Sequence, residues 1–157
     1  MVVTDEYVAA LRAFLTSSDD TFSRLSAQIQ DRDGSGSGNV YAAMQVMALT
    51  LAARSRFAPS YTAAQVIKFV AQVRSALGAR GIDVDPLIAE RLLRGLLGEP
   101  ASAGTLDEHA RAVAVPALLL VLAGPGKLPG GELEALLARA RVLANHLLAA
   151  MPDPAQS

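Results

Sequence analysis

The chain has no cysteine and no tryptophan, and only 4% of its 157 residues are aromatic. Without thiols there is no disulfide framework, no thiolate nucleophile and no cysteine-ligated metal, a composition that fits a reducing cytosol. With few rings available, the hydrophobic 52% of the chain has to build its core from Leu, Val and Ala. Small side chains let helices approach closely, and Ala and Leu are strong helix formers. No apolar run reaches the ~20 residues that a membrane span needs. The longest uncharged apolar-rich run, from Ala112 to Gly126, is interrupted by Pro116 and two glycines. The opening Met1 to Glu6 also lacks the basic and apolar regions of a secretory signal. These absences point to a cytoplasmic protein with no membrane segment.

A second absence is local. From Gly34 to Ile82 there is no Asp or Glu, while Arg54, Arg56, Lys68, Arg74 and Arg80 all fall inside that window. The net charge of −1 therefore conceals a positive middle between acidic flanks. Such an asymmetry is what an interaction surface or an anion site produces. Helix ends offer a plainer account for four of the five cations. Arg54 and Arg56 close the third predicted helix, and Arg74 and Arg80 the fourth, where cations suit the C-terminal dipole. A nucleic-acid-binding domain would show a pI above ~9. The pI here is 6.1, which argues against nucleic acid as a partner.

What is present is helical periodicity throughout, with no sustained alternation of strand type. The first helix starts at Thr4 as cap, with Asp5 and Glu6 in its first turn and Val8, Leu11, Phe14 and Leu15 on its apolar face. The second opens at Ser18 to Asp20 and carries Phe22, Leu25 and Ile29. A glycine-rich loop from Asp31 to Gly38 ends it. The third, from Asn39 to Phe57, is nearly uncharged and reads as a central helix buried on most sides. Thr62 and Gln65 form a capping box for the fourth, which buries Val66, Val70, Val73 and Leu77 and leaves Gln65, Lys68 and Gln72 wet.

Asp85-Pro86 starts the fifth helix, and Glu90 and Arg94 make an i,i+4 pair on it. Gly98 to Pro100 ends it. Thr105 with Glu108 caps a sixth helix that Pro116 either kinks or splits. The last runs from Glu132 to Met151 with Leu133, Leu136, Leu137, Ala140, Leu143, Leu147 and Met151 on one face, ended by Pro152 and Pro154. The expectation is an all-α protein, a compact single-domain orthogonal bundle of about seven helices over residues 1–151, with a short frayed tail at 152–157.

The loop at Asp31 resembles an EF-hand calcium loop in part. Asp31, Asp33 and Ser35 take positions 1, 3 and 5, and Gly36 takes position 6. It departs from that motif at position 12, where the bidentate Glu is replaced by Ala42, and at position 8, which is Gly38. Two carboxylates compete poorly with water for a divalent ion, so no metal is expected there.

His109 and His146 lack a partner at metal spacing, no Ser lies in a G-x-S-x-G context, and the glycine stretches lack the Lys-Ser/Thr of a P-loop. No catalytic constellation and no cofactor motif emerges, so the chain reads as a non-enzyme. The leading expectation is a protein-interaction or regulatory module that self-associates or meets another protein partner, with the last helix and the uncharged sixth as candidate dimer surfaces. The alternative is a binding domain for an apolar or anionic small molecule, with Tyr41, Met44, Met47, Arg54, Arg56 and Phe69 around a pocket between the third, fourth and sixth helices. An interaction module should show a filled core and an exposed apolar patch; a binder should show a closed cavity.

Overall fold

The computed structural model describes residues 1–57, 59–99 and 107–151. Within them the protein is all-α, as its periodicity implies. The elements are α1 (Asp5–Leu15), α2 (Asp19–Asp33), a single 3₁₀ turn (Gly34–Gly36), α3 (Ser37–Arg56), α4 (Ala63–Gly78), α5 (Pro86–Leu96), α6 (Glu108–Ala123) and α7 (Glu132–Ala150). Internal contacts divide the chain into two compact units. One comprises Met1–Ala48 and the chain from Ala123 on; the other is Leu49–Leu122. The predicted stop at Pro100, the Thr105 half of a capping box and the tail from Pro152 lie outside the described residues.

In the first unit α1 packs along α2 and also meets α7. Tyr7, Leu11 and Leu15 recur every fourth residue and are fully buried, with Ala10 and Ala13 filling the space between them. Rings are scarce, and three of the seven form one string: Phe14 meets Phe22 at 5.7 Å between centroids, and Phe22 meets Tyr41 at 6.3 Å. That string links α1, α2 and the start of α3. The third helix is as enclosed as its lack of charge implies, since only Ala42 is exposed between Val40 and Ala53.

In the second unit α4 packs on α5. The capping box is present in both directions: Thr62 Oγ1 accepts from Gln65 N–H at 3.2 Å, and Gln65 Oε1 accepts from Thr62 N–H at 2.9 Å. The predicted stripe Val66, Val70, Val73 and Leu77 is buried, and Phe69 joins it. Gly81, at φ +77°, lets Ile82 N–H return to the Leu77 carbonyl and close the helix end. Asp85 caps α5 through two backbone N–H groups, Leu87 and Ile88, ahead of Pro86. The helix α6 runs unbroken through Pro116, so that residue does not split it. Asp107 serves as its cap, accepting the Ala110 N–H at 3.0 Å.

Three local expectations need correction. Thr4 does precede α1, but its hydroxyl makes no cap bond and instead accepts from Arg32 at 3.2 Å. The glycine-rich stretch is not an open loop, because α2 continues through Asp33 and α3 already begins at Ser37. Gly34, at φ +64°, is the one sharp turn needed between them.

The buried face of α7 is also rotated from the leucine-based expectation. It is formed by Leu137, Ala140, Ala144 and Leu148, while Leu143, Leu147 and Met151 are exposed. The reason lies on the opposite flank. Glu134, Arg141 and Asn145 recur at i, i+7 and i+11 and bind Arg12, Asp5 and the Val3 N–H, which turns the helix toward α1.

That rotation predicts a contrast in stability. Leu137→Ala, which empties a site 1% exposed, should lower the unfolding free energy by about 2–5 kcal/mol. Leu143→Ala should cost less than about 1 kcal/mol. Equal losses in urea unfolding would overturn the assignment of the face.

Candidate functional site

The densest polar cluster lies where α2 ends against α1. Arg32 reaches Glu6 at 2.6 Å and Asp33 at 2.9 Å, and donates to Thr4. Asp33 also accepts the buried Tyr7 hydroxyl at 2.5 Å. The Arg32 guanidinium, aided by that hydroxyl, holds the Asp33 carboxyl at about 2. Burial, reinforced by the adjacent carboxylate, pushes Tyr7 up to about 12. Asp33 thus has its oxygens committed within the protein, and the helical backbone does not carry Asp31, Asp33 and Ser35 around a central ion as a calcium loop would. Among the described residues no three His, Cys, Asp or Glu side chains gather to hold a metal.

In the acid-free window the cations separate by role. Arg54 donates its Nε–H to the Leu96 carbonyl at 3.1 Å, satisfying a carbonyl at the end of α5. Arg56 lies with its guanidinium carbon 5.4 Å from the Phe57 ring centre and 5.6 Å from that of Phe69. Those rings meet edge to face at 5.4 Å, and Phe57 also meets Tyr61. Beside them is a surface hollow of about 360 Å³, lined by Arg56, Phe57, Gln65, Lys68, Phe69 and Gln72. A separate cluster joins α5 to the segment after it. Glu99 accepts from Arg94 at 3.0 Å and from the Tyr61 hydroxyl, and the arginine first of all holds the Glu99 carboxyl below its ordinary range.

The six pocket residues expected from the sequence do not share one environment. Tyr41, Met44 and Met47 belong to the first unit, and Arg54, Arg56 and Phe69 to the second. Tyr41 and Arg56 stand 15 residues apart along α3. Arg56 and Phe69 are brought together; Met44 is wholly enclosed core, and Met47 is half-buried. Among the described residues the Tyr41 hydroxyl is buried without a hydrogen-bond partner, and desolvation, against a lowering influence from Gln45 one turn on, raises its pKa above the ordinary value.

On α7 the exposed edge is apolar. Leu143 is 36% exposed and Leu147 39%, with the half-buried Leu136 one step along the same edge. Glu132, Arg139 and His146 form the adjoining row, all exposed and without an ion pair among the described residues. His109 is likewise exposed. Sequence reasoning missed the Arg32–Asp33–Tyr7 and Arg94–Glu99–Tyr61 clusters. Their tyrosines lie 26 and 38 residues from the carboxylates they meet, beyond any local pattern.

Compared with known proteins, the chain matches no family model, no curated sequence and no solved structure. Among the described residues, no helix is long and apolar enough to cross a membrane.

The Asp33 cluster has a pH signature. The Asp33 carboxyl titrates at about 2 when folded and near 3.8 when free, so its stabilisation is complete above about pH 4 and is lost as pH falls toward 2. Asp33→Asn should flatten the acid limb of stability against pH, measured by urea unfolding from pH 5 to 2. Tyr7 acts in the opposite direction. Its stabilising effect holds below about pH 10 and fades as pH climbs toward 12, and Tyr7→Phe should remove that alkaline slope.

Proposed function

We propose that this protein is a non-enzymatic, cytoplasmic interaction module that self-associates weakly through the Leu136–Leu143–Leu147 edge of α7. One observation carries the reading: Leu143 and Leu147 remain exposed on the outer edge of α7, while Glu134, Arg141 and Asn145 on the opposite flank, themselves partly exposed, are paired with groups of the first twelve residues. The filled core also favours this reading over an apolar-ligand binder. Met44 and Leu49 have no exposed surface, and the hollow beside α4 is lined chiefly by polar, exposed side chains.

The adjoining charges favour a second copy as the occupant. In an antiparallel crossing near Arg139, Leu136 of one copy meets Leu143 of the other, and Glu132 lies beside His146. A parallel pairing would set Glu132 against Glu132 as well as Arg139 against Arg139, whereas the antiparallel crossing opposes only the two arginines. Antiparallel helices also oppose their dipoles favourably.

Magnitude makes the association transient. Covering the remaining third or so of each of three leucines is worth about 0.5–1 kcal/mol apiece, hence roughly 3–6 kcal/mol over both copies. Association itself costs about 4–15 kcal/mol in lost freedom.

Sedimentation equilibrium tests this. The average mass should rise only as concentration approaches the millimolar range. Leu143→Glu should hold the mass at that of one chain without lowering the melting temperature. A wild-type protein that stays monomeric across the range, or a Leu143→Glu variant that associates equally, would overturn the proposal.

A further inference from the structure

We infer that the hollow between the end of α3 and the wet face of α4 is a binding site for the phosphate group of a small molecule, either free phosphate or a phosphate ester. Every ionised group lining it is a cation, and the sequence supplies no carboxylate between Gly34 and Ile82 to neutralise them. Several arginines are committed elsewhere: Arg12, Arg32, Arg94 and Arg141 form ion pairs, and Arg54 binds a carbonyl. Arg56 and Lys68 have no carboxylate partner among the described residues.

The site is also partly organised in advance. Arg56 holds its guanidinium carbon within 5.6 Å of the centres of two buried rings, which restrains the side chain. A guanidinium held this way loses less freedom when it binds an oxyanion. Gln65 is fixed by the capping box: its Oε1 already accepts the Thr62 N–H, so only its amide N–H₂ is free for a ligand. Lys68 and Gln72 follow at i+3 and i+7 on the same face of α4. Guanidinium, ammonium and amide donors therefore border one hollow of about 360 Å³, within the range of small-ligand pockets.

Helix-end placement does not account for this arrangement. A cation at Arg56 suits the C-terminus of α3, but Lys68 lies in the N-terminal half of α4, the positive end of that dipole. The first turn of α4 also has none of the acids that usually occupy such a position. A dianionic tetrahedral group with several acceptor oxygens matches two cations and an amide better than a single carboxylate does.

The test is a titration of the whole chain followed by amide and arginine Nε–H resonances, with inorganic phosphate and with glycerol phosphate, at ionic strength held constant with chloride. Saturable shifts confined to Arg56, Gln65, Lys68 and Gln72 are expected. Lys68→Gln, at an exposed position that leaves the core intact, should weaken binding about tenfold, as should Arg56→Gln. Lys127→Gln, an exposed cation in the other unit, should change nothing. Equal affinity for both probes would assign the free ion, and tighter binding of the ester would assign a phosphorylated metabolite. Absence of saturation, shifts reproduced by chloride, or affinity unchanged in Lys68→Gln would overturn the site.

Discussion

The orientation of α7 about its own axis depends on three polar contacts along one flank. Glu134 takes the Arg12 guanidinium through two hydrogen bonds, Arg141 reaches Asp5 at 2.6 Å, and the Asn145 side chain accepts the Val3 N–H at 2.7 Å. Exposed ion pairs are worth little individually, about 0.2–1 kcal/mol. Their importance is directional. Burial of Leu137, Ala140, Ala144 and Leu148 supplies the energy, and the polar flank selects that stripe over the richer one containing Leu143 and Leu147. With this polar flank paired to the first twelve residues, Leu143 and Leu147 are left on the helix's outer edge. The exposed apolar patch is thus a consequence of how α7 is anchored.

A similar logic governs the positive window. Its five cations look alike in the sequence, but their surroundings divide them. Arg54 completes the end of α5. Arg56 is held on a pair of aromatic rings in a chain with only seven aromatic residues. Using two scarce rings to support one guanidinium places its charge on the same hollow as Lys68, where repulsion between two cations is relieved by an anion. That is why the hollow beside α4 differs from an ordinary solvated helix face, despite being open to water.

Much of the fold was legible because its signals were local. The Thr62–Gln65 box, the Asp85-Pro86 start and the buried stripe of α4 each depend on residues within two turns of one another, and each is present. The misreadings arose where distant residues override local preference. Repeated glycine between Asp31 and Gly38 reads as a loop, yet Asp33 is tied to Tyr7 and Arg32, and the helix persists to meet them. Ser37 then bonds back to the Gly34 carbonyl at 2.8 Å, so a single turn is enough. Leucine content likewise pointed to the wrong face of α7, because no local rule anticipates that Glu134, Arg141 and Asn145 would all find partners in the first twelve residues. Of the candidate site residues, Arg56 and Phe69 came together because one ends α3 and the other lies on the opening turns of α4. Tyr41, Met44 and Met47 were grouped with them by residue type alone.

The two aromatic strings clarify how so few rings organise the core. Phe14, Phe22 and Tyr41 link three helices in the first unit; Phe57, Tyr61 and Phe69 join the end of α3 to α4 in the second. Large rings bury the most surface per side chain, so placing them at helix junctions leaves the helix interiors to Ala, Leu and Val. Small residues then permit close helix packing, but they provide little shape specificity of their own. Specificity has to come from the junctions and from the polar clusters at Asp33 and Glu99. Each of those clusters contains a tyrosine, an arginine and a carboxylate, and each ties a helix end to a neighbouring element. The same economy explains why the surface is informative. With the rings and the Asp33 and Glu99 clusters committed to fixing the fold, the leucine edge of α7 and the donor-lined hollow at Arg56 are among the groups that the fold itself leaves unused.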